Sequence, residues 1–88
     1  MHAAISFDLI DASQARPVVA GTDIKVSRIA REAERMGMTA SEIIEAHPHL
    51  TTSQVHAALA YYEAHRAEIR GEWSEADELV SRLQHIYS

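Results

Sequence analysis

Thr51-Thr52-Ser53-Gln54-Val55-His56 crowds short hydroxyls, a carboxamide and an imidazole into six positions. All are groups that can donate to or accept from base edges and phosphates, and Gln54 is the type that pairs bidentately with adenine. The same groups also have a local use. Thr51 stands three residues before Gln54, so its hydroxyl can accept from an orphan helix amide while the Gln side chain reaches back, the reciprocal capping box. Upstream, Arg28, Arg31 and Arg35 fall three and four residues apart and so share one helical face. From there they can track phosphates, with Lys25 and Arg16 extending the patch. Glu32 and Glu34 flank them, and a solvated face with local ion pairs of about 0.2–0.5 kcal/mol each accounts for the same pattern.

His47, His49 and His56 hold metal-ligand atoms, yet no nearby carboxylate completes a recognisable ligand set, and a role in the turn suits His47 and His49 better. The chain has no cysteine, hence no thiolate site or disulfide framework. Its three glycines form no phosphate-cradling loop, and no Ser-His-Asp arrangement or paired carboxylate motif is present. No enzyme activity, metal or cofactor is expected.

The elements that must position these residues are mainly helical. Thr39 precedes Glu42 by the same three residues as Thr51 precedes Gln54, and Pro48 interrupts the stretch between. Two capped helices joined by a short proline-containing turn make a helix-turn-helix, whose second helix, from Thr52, can enter a major groove. Ser27 is the expected N-cap of a first helix reaching Met36, with Ile29, Ala30, Ala33 and Met36 on its apolar stripe and Gly37 beyond its end. The second helix spans Ala40 to about Ala46. The third carries Val55, Ala58, Leu59, Tyr62 and Ile69 and ends by Gly71. Ser74 opens a last helix, on which Trp73, Ala76, Leu79, Val80, Leu83, Ile86 and Tyr87 recur every three or four residues. Either this acidic, amphipathic tail folds back on the core or its stripe serves another chain.

Before the helices, Ile5, Phe7 and Leu9 alternate with Ser6 and Asp8 as in a half-buried strand from Ala4 to Ile10. The pieces Val18-Val19 and Ile24-Lys25-Val26 complete a small antiparallel ribbon. The expected architecture is therefore mainly α: a three-helix core containing the helix-turn-helix (27–70) between an N-terminal β ribbon (1–26) and a C-terminal amphipathic helix (71–88). The ribbon is a reasonable dimer edge.

Eighty-eight residues suit one domain with a small core. No run approaches the roughly 20 apolar residues of a membrane span, and the N-terminus lacks a basic export region, so the expected location is the cytoplasm. The net charge of −5 is unevenly spread. Residues 1–38 balance five basic groups against five acids, whereas residues 39–88 hold three against eight. A chain so divided can present a basic face to DNA and an acidic tail to a protein.

Three blocks together resemble the bacterial "domain of unknown function 433" family: Pro17-Val18-Val19-Ala20-Gly21-Thr22-Asp23-Ile24-Lys25-Val26, then Gly37-Met38-Thr39-Ala40-Ser41-Glu42-Ile43-Ile44, then His47-Pro48-His49-Leu50-Thr51 through Ala58-Leu59-Ala60-Tyr61-Tyr62. Asp23 and Lys25 depart from the arginine and proline usual there. The resemblance implies a homeodomain-like three-helix helix-turn-helix core and, in function, an antitoxin of the VapB kind, paired with a PIN-like toxin ribonuclease and binding its own operator as a dimer. On that reading DNA contact falls to Lys25, Arg28, Arg31, Arg35, Thr52, Ser53, Gln54 and His56. Toxin contact falls to Arg70, Trp73, Leu79, Val80, Arg82, Leu83, Ile86 and Tyr87. Arg82 or Arg70 would neutralise the carboxylates of a nuclease centre by charge-assisted hydrogen bonds, while pairing of Arg82 with Glu78 is the plainer use. A protein interaction module without DNA-binding activity is the competing expectation.

Overall fold

The structure is a computed structural model that describes residues 9–13 and 16–87, Tyr87 by its backbone alone. Strand β1 (Ile10–Asp11) pairs antiparallel with β2 (Val18–Val19), Ile10 opposite Val19 and Asp11 opposite Val18. Lys25 adds an isolated antiparallel bridge to Val18, so the expected ribbon forms in miniature. Between β2 and that bridge Gly21 takes φ +79°, open to glycine at little cost. The Thr22 hydroxyl locks the turn, donating to the Val19 carbonyl at 2.8 Å and accepting from the Ile24 amide at 3.0 Å. The side-chain phase differs from the expectation: Ile10 is buried while Leu9 is 38% exposed. The rest of the predicted strand, Ile5 and Phe7 included, lies outside the described residues.

Four helices follow: α1 (Val26–Glu34), α2 (Ala40–Ala46), α3 (Thr52–Ala64) and α4 (Arg66–Tyr87). Helix α1 starts two residues earlier than expected, with Lys25 rather than Ser27 at the N-cap and no side-chain cap, because Ser27 is buried inside the first turn. The helix ends before Gly37, whose φ of +67° reverses the chain. Met36 falls past that end and is 65% exposed, off the predicted stripe. Both capping boxes form, Thr39 with Glu42 on α2 and Thr51 with Gln54 on α3.

The largest difference is at the third helix. It stops at Ala64 rather than Gly71, and His65 (φ −133°, ψ 41°) bends the chain into a 22-residue α4 that runs through both Gly71 and Ser74. The bend is closed by the His65 amide, which donates to the carbonyls of Tyr61 and Tyr62, and by its ring, stacked on Tyr61 at 4.0 Å. Its physical reason is burial. Turning at His65 carries Ile69 and Trp73 into the core, and each large apolar side chain removed from water contributes roughly 1.5–3 kcal/mol, more than the ~1 kcal/mol that Gly71 costs a continuing helix.

Val19, Val26, Ile29, Ile43, Val55 and Ile69 are fully buried, one or two from β2 and each of the four helices. Beyond Ala76, α4 leaves this core. Leu79, Val80, Leu83 and Ile86 are each about half or more exposed, and the molecule extends to 53 × 26 × 21 Å.

Candidate functional site

Five of the eight Lys and Arg side chains gather around one concavity of about 980 Å³. Arg28, Arg31 and Arg35 reach it from α1, Lys25 and Arg16 from the ribbon side, and His47 and His49 from the turn between α2 and α3. Glu72 and Trp73 of α4 line it as well. The α1 face read from the sequence is therefore real, and the ribbon does extend it.

A buried pair shapes its wall. His47 Nε2 lies 2.9 and 3.1 Å from the two carboxylate oxygens of Glu32, both residues under a tenth exposed. This contact ties α1 to the start of the turn. Sequence reasoning treated Glu32 only as a flanking charge, and its spacing of fifteen residues from His47 carries no local signal.

The cations differ in how free they are. Arg16 is held 3.1 Å from Glu75, and Arg35 lies 3.6 Å from Asp77 with its guanidinium 5.0 Å over the Trp73 ring. Arg28 has a long contact, 3.5 Å, with Glu32. All three are exposed, as are Lys25 and Arg31. These surface pairs are worth at most about 1 kcal/mol.

On α3 the predicted groups divide. Thr52, Ser53 and His56 are exposed, but Gln54 is half-buried and its carboxamide oxygen accepts from the Thr51 amide at 2.8 Å. That oxygen is committed to the cap. None of these four lines the concavity; the two groups adjoin where His49 leads into Thr51.

The α4 residues divide too. Trp73 is 6% exposed, packs 5.5 Å from the Tyr62 ring and donates from Nε1 to the Ser27 carbonyl at 2.9 Å, so it is a core residue and not a partner contact. Arg70 donates to Tyr62 Oη at 3.0 Å and to Glu34 at 3.1 Å, and Arg66 also reaches Glu34. The Tyr62 hydroxyl donates to the same carboxylate and, before the two guanidinium groups, holds Glu34 below the usual carboxylate range. Arg82 pairs with Glu78 at 3.3 Å, the plainer of its two expected uses. The side chain of Tyr87 lies outside the described residues. Glu72 was missed altogether: it is 8% exposed, neither oxygen has a hydrogen-bond partner, and burial pushes its carboxyl up.

Among the described residues no cluster of three or more His, Asp and Glu is arranged to hold a metal. No helix there is long and apolar enough to cross a membrane.

Residues 12–62, more than half of the chain, match the family described as "Protein of unknown function (DUF433)". The chain belongs to this family. No curated protein and no solved structure matches it. The DUF433 segment begins just after β1 and takes in β2, α1, α2 and most of α3, and with them seven of the cationic and imidazole groups around the concavity: Arg16, Lys25, Arg28, Arg31, Arg35, His47 and His49. Helix α4 lies beyond it.

Proposed function

We propose that this protein is the antitoxin of a toxin–antitoxin pair, an operator-binding dimer whose α4 engages a PIN-like nuclease. In this reading α2, the turn at 47–51 and α3 act as a homeodomain-like helix-turn-helix. The single observation that carries it is the exposed polar front turn of α3 standing beside a concavity rich in Lys and Arg. A groove-reading helix needs both, since base edges select the sequence while cations at the phosphates supply affinity and register. Lys25, Arg28 and Arg31 are the cations least tied up by carboxylates, and Thr52, Ser53 and His56 are the groups turned outward. One such unit covers little DNA, and a two-fold pair on repeated half-sites supplies the missing affinity.

The nuclease-binding part rests on Leu79, Val80, Leu83 and Ile86, an apolar stripe at helical spacing on a segment that leaves the core. Such a stripe suits a helix laid into an apolar groove. The same stripe favours the second reading, an interaction module with no DNA activity.

A mobility-shift titration with DNA from upstream of its own reading frame separates the two. Operator binding requires a shift that is strongest at low salt. No shift at low salt leaves the interaction module standing.

A further inference from the structure

Granting that α3 reads DNA, as proposed above, the structure narrows which side chains do the reading. Gln54, the adenine-pairing type, has its carboxamide oxygen engaged by the Thr51 amide in the capping box. Val55 and Ala58 are buried, and Ala57 and Leu59 pack against the core. The outward edge left along the helix is Ser53, His56, Ala60 and Glu63, all exposed and spaced three, four and three residues apart. Its far end is acidic: Glu63 lies 3.6 Å from Arg66 and would repel phosphate. The length usable against DNA thus runs from Ser53 to Ala60, about 10 Å at 1.5 Å per residue, or roughly three stacked base pairs. Lys25, Arg28 and Arg31 of the adjoining concavity complement phosphate and outnumber the exposed Asp23 beside them, which favours nucleic acid as the occupant of this edge.

Ala60 is the one apolar member of that edge, and its methyl group has no role in the core. In the major groove the apolar feature available to an alanine is the C5-methyl of thymine. We infer that Ala60 is a specificity-determining residue that packs against a thymine methyl in each half-site, one turn beyond the donor His56. Thymine and uracil form the same base pair and differ by that methyl, so replacing one with the other isolates the contact.

The test is a mobility-shift titration of the full chain against the same upstream fragment made with thymine or with uracil throughout. Burying one methyl is worth about 0.8 kcal/mol, so the two half-sites bound by a dimer together give about 1.6 kcal/mol, which converts to about fifteenfold in affinity. Wild-type protein is expected to bind the uracil fragment about fifteenfold more weakly, whereas A60G, its helix content checked by circular dichroism, should bind both fragments equally. Equal binding of the two fragments by wild-type protein overturns the assignment, as does a thymine preference that survives in A60G. Both of those outcomes leave operator binding itself intact. Absence of a shift with either fragment at low salt removes the DNA reading, and the assignment with it.

Discussion

At the residue scale, carboxylates distinguish this protein more than its cations do. Glu32 is buried and satisfied by His47, and Glu34 is satisfied by Tyr62, Arg66 and Arg70. Glu72 is buried without a partner. Its proton affinity is raised by desolvation, so the folded protein prefers the neutral carboxyl, and stability falls as pH rises from the unfolded value of about 4.5 through the raised folded one. Removing the charge while keeping the shape should stabilise the fold at neutral pH. E72Q, whose carboxamide stays buried but carries no charge to desolvate, is expected to gain up to about 1 kcal/mol there and to lose that part of the pH dependence. Urea unfolding of both proteins at pH 5 and pH 7 checks this; a gap that does not widen with pH refutes it. Glu34 has the opposite sign. Its lowered value gives stability that is present above the ordinary value of 4.5 and lost as pH falls through the folded one.

At the scale of elements, α4 has two unlike halves. Ile69, Glu72 and Trp73 are buried, whereas every residue from Ser74 to Ile86 is exposed. Isolated helices of such length are marginal in water, so the outer half depends on continuity with the inner one. Gly71 sits at their junction with nothing within 4 Å of where a Cβ would stand. Alanine there removes the conformational freedom of glycine in the unfolded chain at no steric cost. G71A should raise stability by about 0.5–1 kcal/mol, several degrees in Tm for a domain of this size, with a gain in helix signal. A fall in Tm by circular dichroism would mean that the junction needs its flexibility.

At the scale of the whole molecule, charge is sorted rather than averaged. A net charge of −5 coexists with a concavity that collects five Lys and Arg side chains against three carboxylates, Asp23, Glu32 and Glu72. The DNA binding we propose should depend steeply on salt despite the acidic total. For the double variant R28A/R31A we expect weaker binding across all sequences and a log–log salt slope shallower by about 2, one unit per lost phosphate contact. An unchanged slope would show that these arginines do not face phosphate.

Local chemistry was enough to write α2 and α3 at their observed starts, since Thr39-Glu42 and Thr51-Gln54 close boxes that depend on three-residue spacing alone. The α1 arginine face was readable for the same reason, as helical periodicity fixes which side chains share a side. What sequence periodicity could not supply was the bend at His65, which exists because burying Ile69 and Trp73 against α1 outweighs the local signals at Gly71 and Ser74. That long-range packing moved Trp73 from partner surface to core and drew Arg35 toward α4. It also left Glu72 buried without a partner. Caps and helix faces are settled within one or two turns of chain, whereas burial is decided by residues forty or more positions apart.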